Sequence, residues 1–455
     1  SQVSGNGAGF GEGGGLYNAG VLTLINSLVS NNSNGDGSGI YNAGTLTVQD
    51  SSVHHNMTSF SGPGIYNVGT LTLMDSSVYG NEAAGFLTGS SGGGLFNSGA
   101  ATVINSQLYS NTVGSDGGGI YNTGVLTLTD SAVYSNTALR GGGVHNSGTL
   151  LLANSAVYSN TADEGGGLYA EGGLVITNTT ISGNRQFVYG GGGLRTILPG
   201  GIVTLNNVTL ANNSGGGLSI VNGSLYPDRL PTARNSIIAH NVGGNCDSGI
   251  ISAGYNLESD TTCGLAATGD LSNTDPLLGP LADNGGAPGA LTHALLPGSP
   301  AIDAGSSVCA ATDQRGVARP QGLRCDIGAF EVVSLPRAEF NMPLYLTPKN
   351  AGVFVATVVL AIAPAATATV DYATSDGTAL AGQDYLPATG TLTFAPGVTG
   401  QTIPITILNN PANTASRALT LTLSNPTGVV LGPVNPATLV IAAQVSNLFL
   451  PLLMK

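Results

Sequence analysis

A phrase of about two dozen residues, said nine times, decides most of what this chain can become. Each copy reads Gly-Gly-Gly-Ile-Tyr-Asn or a close variant, then a turn, an alternating run such as Leu-Thr-Leu, an Asn or Asp, a second short apolar run and another Asn. The first large apolar residue of successive copies is Leu16, Ile40, Ile65, Leu95, Ile120, Val144, Leu168, Leu194 and Leu218, at spacings of 24, 25, 30, 25, 24, 24, 26 and 24. A unit this short buries no core alone, so the period demands coils stacked into a solenoid.

Alternation in Val21-Leu22-Thr23-Leu24 and Thr70-Leu71-Thr72-Leu73 sends one set of side chains inward and the other outward, which is strand and not helix. An apolar residue is followed three later by Asn throughout, giving Asn32, Asn56, Asn81, Asn111, Asn136, Asn160, Asn184, Asn213 and Asn241. Stacked in register, these amides can donate each to the next as an asparagine ladder. A second ladder is expected at Asn18, Asn42, Asn67, Asn97, Asn122 and Asn146, at corners that Asn and the preceding glycines tolerate. A leucine-rich repeat has a similar period but would show Leu-x-x-Leu-x-Leu and a helical segment. The fold class is therefore all-β: a parallel β-helix over 1–234, followed by a C-terminal β-sandwich.

Seventy glycines with 8% charged and 41% hydrophobic residues suit turn-dense β structure. A net charge of −13 with only two lysines, Lys349 and Lys455, leaves no electrostatic basis for binding nucleic acid. The longest apolar run, 353–363, is too short to span a bilayer. The cysteines fall as two local pairs, Cys246 with Cys263 and Cys309 with Cys325, which suits disulfides in an oxidising, extracellular setting. No signal peptide precedes Ser1, so a mature, processed form is expected.

Catalytic constellations are weak. Asp50, Asp75 and Asp130 recur where other copies carry Asn26, Asn105, Asn154 and Asn178, and so read as ladder members. His54 and His55 are adjacent on one strand and are expected to point to opposite sides, which disfavours a shared metal. Tyr17, Tyr41, Tyr66 and Tyr121 recur once per coil, as an aromatic ladder or an external stripe for glycans. No catalytic residue, metal ligand or cofactor is assigned, and the chain is read as not an enzyme, with polysaccharide lyase or hydrolase as a remaining alternative.

Residues 235–333 carry Thr312-Asp313-Gln314-Arg315-Gly316 and Asp326-Ile327-Gly328-Ala329-Phe330-Glu331, after Leu296-Pro297-Gly298-Ser299-Pro300-Ala301-Ile302-Asp303-Ala304-Gly305. These residues resemble the choice-of-anchor domain of bacterial surface β-helix proteins. The resemblance implies a right-handed helix on a secreted bacterial protein, with this segment as its terminal coils and disulfide-bearing cap. The repeats are also similar to those of polymorphic outer-membrane proteins and other β-helical adhesins. Arg315 and Arg319 amid Asp303, Asp313 and Asp326 read either as a catalytic cluster or as ion pairs pinning the cap, and the cap is favoured because an Arg fork on carboxylates is a common way to pin irregular loops.

A linker is placed at 334–338 and a sandwich at 339–444, where glycine thins and strands lengthen. Val370-Asp371-Tyr372-Ala373-Thr374, Asp376-Gly377-Thr378-Ala379, Asp384-Tyr385 and Leu423-Ser424-Asn425-Pro426 resemble a Calx-beta domain. That resemblance implies a calcium site built partly from an Asp pair and a later Glu. Asn409-Asn410 and Arg417 occupy those places here, so only Asp371, Asp376 and Asp384 remain and a calcium-free sandwich is expected.

Two ends complete the reading. Val3 and Asn6 match the repeat, so the chain opens inside a coil with no polar cap; the tail at 445–455 carries Leu448, Phe449, Leu450, Leu452 and Leu453. It resembles short tails closing secreted proteins of filamentous phototrophic bacteria, and also reads as a last strand or a donor strand. Together the ends suggest a head-to-tail homopolymer, a surface filament or sheath; the alternative is an adhesin for cell-surface glycans.

Overall fold

The computed structural model describes residues 1–443 apart from 8, 10, 84–88, 334, 365, 366, 412 and 413. The tail residues Leu448, Phe449, Leu450, Leu452 and Leu453 lie outside the described residues. Two compact units divide the chain, Ser1–Val332 and Val333–Lys455.

The first unit is a parallel β-solenoid with three long sheets, of 11, 10 and 9 strands, each running the length of the coils. One sheet stacks the Ile-Tyr-Asn strands, from Leu16–Asn18 to Leu218–Val221. A second stacks the Leu-Thr-Leu strands, from Val21–Ile25 to Ile251–Ser252, and the third runs from Gln2–Ser4 to Leu257–Glu258. Register is strict: Leu46, Leu71, Ala101, Leu126, Leu150 and Leu174 lie directly above one another. All six are buried, and each leucine contributes about 2 kcal/mol of hydrophobic stabilisation.

Corners follow from backbone sterics. Gly117 has φ +67°, and a Cβ on Gly39 would stand 2.4 Å from the Gly64 carbonyl oxygen of the next coil, so the glycine triplet turns where no side chain fits. The corner after each Leu-Thr-Leu strand is left-handed, with φ between 45° and 52° at Asn26, Asp50, Asp75, Asn105, Asp130, Asn154, Asn178, Asn207 and Asn235. Asn and Asp replace one another there because both tolerate that backbone.

The segment read as terminal coils and cap divides into two parts with different tasks. Coils continue to Leu257–Glu258, and Cys246, Ile250, Cys263 and Leu265 extend the apolar core at this end. The chain then turns back as a strap along the outer face of the third sheet. Thr180 Oγ1 donates to Gln314 Oε1 (2.7 Å), the Ala329 N–H donates to Thr209 Oγ1 (3.0 Å), and the Gly328 N–H donates to the Asn235 carbonyl (2.8 Å). A second small core of Ile237, Ala239, Leu257, Leu295, Ala301 and Ile327 forms beneath it. Both disulfides form as expected, Cys246–Cys263 and Cys309–Cys325.

The second unit is a β-sandwich of a four-stranded and a five-stranded sheet around Phe340, Tyr385, Phe394, Ile403, Ile405 and Leu439. Its first strand is Arg337–Phe340, so the stretch placed as a linker at 334–338 already enters the sheet. Arg337 and Ala338 pair there with Val430 and Leu431, a partner far along the chain that local composition does not reveal.

Candidate functional site

The residue types that could carry chemistry on the solenoid are those that recur, and their partners are the neighbouring coils. Asn56 illustrates the first ladder: its Nδ2 donates to Asn81 Oδ1 (2.9 Å) and to the Val29 carbonyl (3.2 Å), while its Oδ1 accepts both the N–H and the Nδ2 of Asn32. The same pattern passes through Asn32, Asn81, Asn111, Asn136, Asn160, Asn184, Asn213 and Asn241, with Asn6 donating into its start. The second ladder runs from Asn18 to Asn146 with every amide 2.7 Å from the next, and ends where Ala170 replaces Asn.

The left-handed Asp and Asn positions are not a third such ladder. Only Asn105 donates to Asp75 (2.5 Å) and Asn178 to Asn154 (3.3 Å). The continuous ladder lies one residue later, a signal missed although it is present in the sequence. Ser51, Ser76, Ser106, Ser131 and Ser155 each accept the N–H of the equivalent residue one coil earlier and donate to the carbonyl two residues back.

Two aromatic columns stand on the outside. Tyr17, Tyr41, Tyr66, Phe96, Tyr121, His145 and Tyr169 stack successively at 4.3–5.4 Å. A second column, unforeseen, is His54, Tyr79, Tyr109, Tyr134 and Tyr158 at 4.6–4.9 Å. Within either column the ring faces are taken by neighbouring rings, so a sugar ring has no free face there except at the ends.

His54 and His55 do not diverge. His55 is left-handed (φ 51°), which swings its ring against His54 and leaves the two Nδ1 atoms 2.7 Å apart, one donating to the other. Among the described residues no cluster of three or more His, Cys, Asp or Glu could hold a metal ion.

A charged cluster on the coils surrounds His145, which replaces Tyr in its column. Its Nδ1 is 3.5 Å from Asp116 Oδ1 and its Nε2 3.9 Å from Glu171 Oε2, and Arg140 holds Asp116 through two bonds of 2.7 and 2.8 Å. Burial works against the Asp116 charge, but the facing His145 and Arg140 outweigh it and hold the carboxyl down at about 2. Burial likewise opposes the His145 charge, and Asp116 and Glu171 overcome it, raising the imidazole above its ordinary value. The ring sits between coils with no open side, an arrangement suited to stapling and not to proton transfer with a substrate.

On the strap, Arg315 pairs with Asp313 (2.7 Å) and lies 3.6 Å from the Phe330 ring centre. Arg319, fully buried, pairs not with the expected aspartates but with Glu331 (3.0 Å), and donates to the Asp326 and Gly328 carbonyls. Asp326 is spent on the N–H groups of Asp303 and Val332, and burial pushes its carboxyl and that of Glu331 up. His293 is a further latch: its Nδ1–H donates to the Gly279 carbonyl and its Nε2 accepts from Ser182, both at 2.8 Å, and burial lowers its pKa.

In the sandwich, Asp371 is apart, held by Thr391 (2.5 Å) and Asn425 (3.0 Å). Asp384, Asn410 and Arg417 come together instead at the 376–385 loop: Asn410 Nδ2 is 3.2 Å from Asp384 Oδ1, and Arg417 Nη1 is 3.7 Å from Asp384 Oδ2. Asp376 Oδ1 accepts from the Ala381 N–H and the Tyr385 hydroxyl.

Residues 334–444 match the family model of the Calx-beta domain. Among solved structures, the chain is similar to one described as the apo-form Calx CBD1 domain, at 33% identity over 24% of this chain and 97% of that one, with a TM-score of 0.23. It is also similar to a structure described as the calcium binding domain CBD12 of CALX1.1, at 34% identity over 23% of this chain and 44% of that one, with a TM-score of 0.23. No curated protein matches the chain.

Proposed function

We propose that this chain, whose residues 334–444 are a Calx-beta domain, is a non-catalytic extracellular structural protein that self-assembles head to tail into a filament or sheath. The observation that carries the reading is the strict register of the stacked coils, in which each strand lies directly on its equivalent one coil away. Coils joined strand to strand in this way form a column that the coils of a second copy can continue.

Two disulfides support an oxidising compartment, and no described helix is long and apolar enough to cross a membrane. The recurrent Asn, Ser and Tyr are engaged in coil-to-coil contacts, which supports a structural role over catalysis. The relatives' calcium does not fit this chain: calcium takes six to eight oxygens, and the loop nearest to such a set offers two carboxylates already engaged by N–H and O–H donors and an arginine.

One observation favours the adhesin reading. Phe187, Val188 and Tyr189 are 56%, 54% and 59% exposed on the segment that leads into the strand Leu194–Ile197, outside both aromatic columns. Negative-stain electron microscopy, with and without 445–455, separates the two readings. Filaments that vanish on truncation support assembly through the tail. Dispersed monomers in both samples overturn it, and glycan-array binding lost in Tyr189→Ala would then establish the adhesin.

A further inference from the structure

We propose that Arg417 is a built-in cation of the sandwich, holding the 376–385 loop in its folded shape and making this Calx-beta domain indifferent to calcium. The inference rests on the family assignment of 334–444 and is independent of filament assembly.

Its basis is the way one guanidinium ties the two ends of one loop. Arg417 Nη1 donates to the Thr378 carbonyl (3.1 Å) near the start of the loop and faces the Asp384 carboxylate (3.7 Å) near its end. Asp384 is 1% exposed, so its charge needs an opposing one. The carboxylate also accepts the Leu380 N–H (3.0 Å) and the Asn410 amide (3.2 Å). Asn410 turns its NH₂ toward the carboxylate, as it must to donate, and that end of the amide repels a metal ion. Asp376, the other carboxylate of the loop, accepts from Ala381 and Tyr385, inside the same turn.

An arginine in this place differs from a bound ion in one respect: it cannot leave. Its tether to the strand Arg417–Thr427 fixes its local concentration. The loop is therefore ordered whether or not calcium is present.

The test is hydrogen exchange of the full chain, read at the amides of Leu380 and Ala381, with calcium alone as the probe. Wild-type protein is expected to exchange these amides at the same rate in chelator and in millimolar calcium. Arg417→Ala is expected to speed them about tenfold, an effect that disappears when Asp384→Asn is already present. Arg417→Lys, which keeps the charge, is expected to fall between. Slower exchange of the wild type in calcium overturns the inference, as does an Arg417→Ala effect that is absent or equally large beside Asp384→Asn.

Discussion

The side-chain amide of Asn136 donates to Asn160 Oδ1 at 3.0 Å, and the same oxygen accepts the Asn136 backbone N–H at 3.0 Å. One atom thus fastens both the side chain and the main chain of the coil above. Asn136 is fully buried, so Asn136→Ala takes away the acceptor of the Asn111 N–H, one of the two partners of the Asn111 amide and a donor to the Leu108 carbonyl. A loss of about 3 kcal/mol is expected in urea unfolding. Asn6→Ala, at an exposed rung, is expected to cost less than about 1 kcal/mol.

The two buried histidines of the first unit should respond to pH in opposite directions. Burial lowers His293 below its ordinary 6.5, so the unfolded chain takes up the proton first. The stability that His293 contributes is therefore complete above about pH 6.5 and is lost as pH falls through its folded value. Thermal melts from pH 7 to 5 should show this loss, and His293→Gln should flatten it.

His145 is raised, and the sign reverses. Its contribution is complete below pH 6.5 and disappears as pH rises through the folded value. His145→Phe restores an aromatic rung and removes the titration, so the variant should lose the stability decline that the wild type shows above neutrality.

The aromatic columns give a structural prediction with a binding control. Tyr134 stacks between Tyr109 and Tyr158 at 4.9 and 4.8 Å, and its hydroxyl donates to Gln107 (3.0 Å). Tyr134→Ala is expected to cost about 2 kcal/mol in urea unfolding and to leave any glycan-array signal unchanged.

Reduction of Cys246–Cys263, which spans a sequence separation of 17, should destabilise the C-terminal coils by about 3 kcal/mol through loop entropy. Limited proteolysis of the Cys246→Ser, Cys263→Ser variant should cut first between these positions.

The solenoid and its ladders were legible because in-register stacking turns one local rule into a column, as a Val, Leu or Ile followed three residues later by Asn does at every rung from Asn32 to Asn241. The strap was not legible in outline because its contacts are non-local: Thr180 meets Gln314, and Ser182 meets His293. A trace existed nonetheless. The outward position of the third sheet shrinks from Gln107 to Ala132 and Ala156 where the buried face begins. The His54–His55 geometry was hidden by backbone handedness, since a period-two strand rule fails at a residue with φ 51°. Arg319 found Glu331 and not an aspartate because that carboxylate also accepts the N–H groups of Gln321 and Asp326, closing the turn around it.

The strap also acts as a ruler. Its anchors at Thr180, Thr209 and Asn235 fix how many coils lie between them, because an added coil there would move Ala329 and Gln314 out of step with their partners by about 4.8 Å. Among the described residues, coils before Ser106 carry no such tether, so duplication there keeps the strap in step with its anchors. An added coil is thereby accommodated at one end of the solenoid, while the other end keeps its count.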